Sequence, residues 1–374
     1  MKIAEIAVFQ VDLPFSGEVY ALSGGRTYES FDATIVRLTT DTGLEGWGES
    51  TPFGATYIAA HGRGVRAGIE EMASAILGQD PIAVDRVNDA MDGTLVGHLH
   101  AKAPIDAACW DLFGKAVQRP VCDLLGGRIA GPVKLISSIH AGPAEDMRAR
   151  VADYRARGFK GHSIKVGAAE VEGGPLLDAE RLQACLADRQ VGEWFLADAN
   201  GGMTVEHALR FLELLPDGLD FVLEAPCATW RETLALRRRT QVPILLDELV
   251  QSEADLLRAI ADDAADGVGL KITKQGGLTR TLRQRSICQA AGLVASIQDT
   301  VGSEIAFAAV LHMAQSTPRR ILRCALDTRA MVGVRTAAFD APVQDGGAQA
   351  PQVPGLGVAP DLDFLGAPVA VYRV

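Results

Sequence analysis

From about residue 130 onward, short apolar runs recur at nearly even spacing, and the stretches between them carry helical periodicity. Eight runs stand out as predicted strands: KLISSIH (134–140), GHSIKVG (161–167), EWFLADAN (193–200), FVLEAP (221–226), VPILLDE (242–248), GVGLKIT (267–273), LVASIQD (293–299) and RILRCA (320–325). Several are apolar on both faces, as parallel strands covered on both sides should be. Between them lie EDMRARVADYRARG, TVEHALRFLELL and RTLRQRSICQAAG, which read as helices. The rhythm predicts an α/β fold of the TIM-barrel type.

The first 50 residues alternate instead with a period of two, and Asp41-Thr42-Gly43 gives a hairpin signal. Residues 64–90 and 101–119 read as helical. The chain therefore divides into an α+β capping domain at 1–128, a barrel at 129–335 and a Gly/Pro-rich segment at 336–374 that returns to the capping domain. Between the first strands, the polar, glycine-rich stretch 18–31 is a candidate lid.

The barrel strands change the picture through their last residues. Lys165, Asp198, Glu224, Asp247, Lys271 and Asp299 each end an apolar run, at steps of 33, 26, 23, 24 and 28 residues. In such barrels the C-terminal strand ends form the reactive face. Asp198, Glu224 and Asp247 on consecutive strands would repel one another without a cation. A hard ion such as Mg2+ suits them, because it leaves positions for substrate oxygens. Acids that merely cap helices or bind water are the alternative, an even match for one strand end but not for three in a row. Lys165 and Lys271 sit across the barrel from each other, with buried stems and amines at the mouth. A metal and partial desolvation should lower their pKa values, as a general base requires. A structural ion pair is the alternative for either.

Other residues carry weaker signals. Asp299 is placed to pair with Lys271, or else to cap a helix. Asn200 faces the same way as Asp198 and is expected to hydrogen-bond behind it. Ser163 faces the site beside Lys165. Tyr20, Arg26, Tyr28, Tyr57 and His61 lie in loops able to cover the mouth, with Tyr20 and Tyr57 the chosen substrate contacts. His98 and His100 read as a surface loop.

Composition narrows the partners. A net charge of −11 without a basic block argues against nucleic acid, and no apolar run approaches membrane-spanning length. Six scattered cysteines without a CxxC pair fit reduced thiols and a cytoplasmic location.

Taken together, AACWDLFGK (107–115) with LLGG (124–127), DAN (198–200), EAP (224–226), DE (247–248), LKITKQGG (270–277) and PGLGV (354–358) resemble the enolase superfamily, in its mandelate racemase and muconate-lactonizing group. The resemblance covers nearly the whole chain. It implies a capping α+β domain on a modified (β/α)7β barrel, one Mg2+ on Asp198, Glu224 and Asp247, and abstraction of a proton α to a carboxylate. It also implies a homo-oligomer.

Two departures narrow the substrate. Where the lysine branch of the group carries Lys-x-Lys, this chain has Ser163-Ile164-Lys165. Its seventh strand also lacks the histidine of a His–Asp dyad, which argues against a large acid sugar. The chain looks most like the branch acting on proline derivatives, cis-3-hydroxy-L-proline dehydratases and hydroxyproline-betaine epimerases. Trp47, Trp110, Trp194 and Trp230 all lie away from the last two strands, so an ordinary amino-acid carboxylate is expected rather than a betaine. Dehydration is the expected outcome, with epimerisation by two lysines as the alternative and a barrel without turnover the remaining one.

Overall fold

The structure is a computed structural model that describes residues 1–374, Gly24 aside. Three long strands, β1 (Ile3–Pro14), β4 (Ser30–Thr40) and β5 (Glu45–Ser50), form an antiparallel sheet. Between β1 and β4 stands a small hairpin of β2 (Tyr20–Leu22) and β3 (Arg26–Tyr28). The helices α1 (Gly62–Ile76), α2 (Val84–Thr94) and α3 (Leu99–Ala116) follow. The predicted helix at 64–90 is thus two helices, broken where Gly78 takes φ +81° and Pro81 follows.

Helix α1 buries Val65, Ile69, Met72, Ala73 and Ile76, the one-sided spacing of a helix lying on a sheet. In contrast α3 is buried almost all round, because it lies between sheet and barrel. Two glycines let it come that close. A Cβ on Gly46 would stand 2.3 Å from the carbonyl oxygen of Ala108, and one on Gly48 would stand 2.0 Å from that of Pro104.

After the short helix α4 (Val121–Leu124) the barrel begins with β6 (Val133–Ile139) and α5 (Ala144–Ala156). It continues through β7 (Gly161–Lys165), α6 (Gly174–Leu186), β8 (Trp194–Asp198), α7 (Val205–Glu213), β9 (Val222–Glu224), α8 (Trp230–Arg237), β10 (Ile244–Leu246) and α9 (Glu253–Ala261). Then come β11 (Gly267–Lys271), α10 (Ile272–Gln275), α11 (Leu278–Ala291), β12 (Val294–Gln298), α12 (Glu304–Gln315) and β13 (Leu322–Leu326). These eight strands are parallel and in sequence order, and β13 pairs with β6 to close the barrel. The register sets β7 through β9 side by side, Lys165 opposite Asp198 and Asp198 opposite Glu224. Two acids and a lysine therefore end at one level because the strands they terminate are in step, and Asp247 stands two residues beyond Leu245, the partner of Glu224.

The final segment contributes β14 (Ala337–Phe339), which pairs with β16 (Val358–Pro360), and β15 (Gly347–Ala348), which adds to β6. After α13 (Leu362–Leu365), β17 (Ala370–Arg373) pairs antiparallel with β1. No helix is long and apolar enough to cross a membrane.

Buried carboxylates tie the capping layer to the barrel. Glu49, at the end of β5, accepts hydrogen bonds at the start of α12 from Ser303 N (2.9 Å), Ser303 Oγ (2.5 Å) and Ala306 N (3.2 Å). Asp106 on α3 accepts from Thr279 N (3.0 Å) and Thr279 Oγ1 (2.5 Å) at the start of α11. Each acid fills amide positions that a helix cannot satisfy internally.

Candidate active site

Two short strands decide where the acids stand. Glu224 is the last residue of three-residue β9, and Asp247 follows three-residue β10 directly. The chain turns sharply past these ends. Ala225 has φ +41° and Asn200 φ +44°, a conformation that residues with a Cβ seldom adopt. The turn at Asn200 folds its side chain back onto Asp198. Asn200 N donates to Asp198 Oδ1 (3.0 Å) and Asn200 Nδ2 to Asp198 Oδ2 (3.2 Å) and to Glu248 Oε1 (3.1 Å). The expected hydrogen bond behind Asp198 is present.

The amines occupy the acids. Lys165 Nζ donates to Asp198 Oδ2 and to Asn200 Oδ1 (2.9 Å). On the opposite side Lys271 Nζ donates to Asp247 Oδ2 (2.5 Å) and to the hydroxyl of Tyr57. Tyr57 in turn donates to Asp247 Oδ2 (3.1 Å). A third amine escaped the sequence reading: Lys274 Nζ donates to Asp247 Oδ1 (2.6 Å), to the Asp247 carbonyl (2.6 Å) and to the Gly269 carbonyl (3.3 Å). Its signal was the second lysine of LKITKQGG, three residues beyond Lys271 and one turn into the short helix α10.

These contacts set the charges. Burial opposes protonation of Lys165, but the Asp198 carboxylate outweighs it and holds the amine above its ordinary value. Burial and Asp247 act the same way on Lys271. The expected lowering of both lysines is therefore reversed while ammonium groups sit on the acids. Burial likewise opposes the charge on Asp247, yet Lys271 and Lys274 hold it low. Glu224 is the exception. Burial and the charges of Asp198 and Asp247 push its pKa well up, and its buried Oε1 has no hydrogen-bond partner. A Cβ built on Gly269 would lie 3.4 Å from Glu224 Oε1 and 3.5 Å from Asp247 Oδ1, so these oxygens face a common point. Among the described residues no three acid, imidazole or thiol groups are already closed into a metal cage. An orphaned Glu224 oxygen between the carboxylates of Asp198 and Asp247 is nonetheless an oxygen-rich donor set that a divalent cation fits.

All but one of the ten candidates meet at one cavity of about 40 Å3: Tyr20, Tyr57, Ser163, Lys165, Asp198, Asn200, Glu224, Lys271 and Asp299 line it. Asp247 stands behind Lys271 and Lys274. Asp299 does not pair with Lys271. Its carboxylate accepts from Thr273 N (3.2 Å), Thr273 Oγ1 and Thr300 N (2.8 Å), while burial raises its pKa to about 6. Lys271 has nearer partners in Asp247 and Tyr57. Gln298, Thr300, Leu326 and Met331 also line the cavity and were not foreseen.

The segment 18–31 is the β2–β3 hairpin, seated on the site. Ser23 Oγ donates to Asn200 Oδ1 (3.3 Å) and an Arg26 guanidinium nitrogen to the Asn200 carbonyl (3.1 Å). Tyr20 shares a hydrogen bond of 3.1 Å with Ser138. Tyr28 and His61 do not line the cavity: Tyr28 meets Thr56, and His61 caps α1 by accepting from Gly64 N (3.2 Å). His100 is no surface loop residue but is buried in α3, whereas His98 just before it is exposed. Aromatic faces do reach the mouth, although none is a tryptophan. Tyr20, Phe53 and Tyr57 come from the capping layer.

Tyr57→Phe removes one acceptor from Lys271 and one donor to Asp247. Hydrogen bonds to charged groups contribute about 1.5–3 kcal/mol. Turnover is expected to fall about tenfold or more with little change in thermal midpoint, a pair of measurements that separates positioning from folding.

Comparison with known proteins identifies the family. Residues 146–364 match the enolase C-terminal domain-like family, and residues 19–126 match the mandelate racemase/muconate lactonizing enzyme N-terminal domain. The chain is 40% identical over 373 residues, the full length of both, to cis-3-hydroxy-L-proline dehydratase of Roseibium aggregatum. It is 28% identical to N-succinyl-L-Arg/Lys racemase of Bacillus cereus, over 84% of this chain and 85% of that one. A magnesium-complexed crystal structure of a mandelate racemase/muconate lactonizing family protein from Roseovarius nubinhibens ISM superposes with a TM-score of 0.98 at 63% identity, covering all of both chains. The chain belongs to the enolase superfamily, in its mandelate racemase and muconate-lactonizing group.

Proposed function

We propose that the protein dehydrates cis-3-hydroxy-L-proline, with Mg2+ held by Asp198, Glu224 and Asp247. The observation that carries this reading is the pair of amines, Lys165 and Lys271, on opposite walls of a cavity of about 40 Å3. The dehydratase relative of full length supports the choice of substrate. When bound, the cation supplies positive charge against the substrate carboxylate and the charge that develops on it during proton removal.

The stereochemistry fits two opposed amines. In the cis isomer the 3-hydroxyl and the carboxylate share one face of the ring, so the α-hydrogen lies on the other. Lys165, as neutral amine, takes the α-proton. Lys271, as ammonium, gives a proton to the departing hydroxyl on the opposite face. One water leaves, and the enamine formed takes up a proton at C3 and gives up its N–H proton to solvent to become the cyclic imine. Ser163, beside Lys165, lines the same wall. Tyr57 keeps Lys271 in place through the contact described above.

A second reading rests on the same amines. Two bases on opposite faces also support 1,1-proton transfer, and a racemase stands among the relatives. Incubation with cis-3-hydroxy-L-proline and Mg2+ is expected to give an imine that an amine nucleophile or borohydride traps, and a chelator should abolish it. Inversion with deuterium uptake at Cα and no loss of hydroxyl would decide for epimerisation. No trapped product at high enzyme loading would sink dehydration of this substrate.

A further inference from the structure

A second cavity, of about 330 Å3, opens between the capping layer and the barrel behind residues 58–61. No aspartate or glutamate lines it among the described residues. Its wall instead carries His61, His98, His100 and Lys274. Two helices begin on it, α1 just after His61 and α3 just after His98. A helix start presents N–H groups without internal acceptors and the positive end of the helix dipole. At α1 the His61 ring already accepts one of these. At α3 no side chain caps the helix. The N–H groups of Ala101 and Lys102 turn back to the His98 carbonyl, at 2.9 and 3.3 Å. Those of Leu99 and His100 have no acceptor within the helix.

The second observation is the ring of His100. It is only 6% exposed, and its Nδ1 faces Ser50 Oγ at 3.2 Å. Its Nε2 is buried and has no hydrogen-bond partner. Lys274 does not serve it, because its three N–H groups go to Asp247 and Gly269. Burial, with Lys274 and Lys271, holds the ring's pKa at about 3, so the imidazole is neutral. Where the Ser50 hydroxyl donates to Nδ1, the neutral ring carries its hydrogen on Nε2, a donor without an acceptor. A buried donor left unpaired costs free energy that an acceptor recovers.

We propose that this cavity is a binding site for a small oxyanion, carboxylate or phosphoryl, held between the start of α3 and the ring of His100. The site lies apart from the candidate active site, with Lys274 on the wall between them. It backs the segment that delivers Tyr57 to Lys271 and Asp247.

Titration of the purified protein with inorganic phosphate, and in a separate arm with acetate, against chloride at equal ionic strength tests the proposal. At least one of the two is expected to raise the thermal midpoint saturably beyond chloride, and the arm that does so tells phosphoryl from carboxylate. His98→Asp places a carboxylate at the exposed start of α3, where an acid favours folding, and is expected to weaken the anion at least about tenfold. His100→Phe, which removes the donor but keeps a flat ring, should weaken it as well. Absence of a saturable shift in both arms, or unchanged affinity in His98→Asp, would overturn the proposal. That outcome would leave the reading of the lysines untouched.

Discussion

Lys165→Ala is expected to lower exchange of the substrate α-hydrogen with heavy water by about 10^2- to 10^4-fold, the contribution of a positioned general base, and to abolish imine formation with it. Lys271→Ala should behave differently. If Lys271 supplies the proton to the leaving hydroxyl, exchange survives while water loss disappears. NMR of the recovered substrate reads the first quantity, and trapping of the imine reads the second. Exchange at the wild-type rate in Lys165→Ala would remove Lys165 from the role of base. Loss of exchange in both variants would instead favour the two-base racemase reading. Because each lysine pairs with a buried acid, both variants need a thermal melt alongside, so that unfolding is not mistaken for lost chemistry.

Asp247→Ala is expected to be the most destabilising change at the site. The side chain accepts from Lys271, Lys274 and Tyr57, and Asp247 and both lysines are buried. Its removal leaves two buried ammonium groups without their counter-charge. Breaking a buried pair by deleting one partner costs about 3–5 kcal/mol. Denaturant unfolding should show an earlier midpoint with the slope unchanged. Glu224→Gln supplies the contrast. Glu224 lies between like charges with an unpartnered oxygen, so in chelator its amide should cost far less stability than Asp247→Ala. Added Mg2+ should stabilise the wild type and not Glu224→Gln, since binding to the folded state raises the midpoint. Equal melting of the two variants in chelator would contradict this account of the charges.

The barrel was legible because six of its eight strands announce themselves twice, by their apolar runs and by the ionisable residue that closes each run. Even spacing then placed Lys165, Asp198, Glu224 and Lys271 on one cavity. What sequence could not give was the choice among nearby partners. Asp299 stands on the strand beside Lys271, yet Thr273 offers its carboxylate a hydroxyl and an amide together. Lys274 was hidden because α10 is one turn long and leaves no periodicity to read. His100 sits at the first turn of α3, where neighbouring His98 and Gly97 suggest a loop, and only the packing of α3 between two layers buries it. Of the aromatic wall, Tyr20 and Tyr57 were expected at the mouth and Phe53 was not; all three arrive from a different part of the chain from the strands they face.

The carboxylates of Glu49 and Asp106 have a practical consequence for engineering. They complete helices that belong to the other layer, so neither half of the molecule is self-sufficient in its backbone amides. A chimera that exchanged the capping layer for a relative's would inherit the relative's acids and keep this barrel's Ser303 and Thr279. Grafts of specificity should therefore carry those docking partners as a matched set. A transplant of the hairpin and the Tyr57 segment alone, on the original sheet and α3, keeps the set intact.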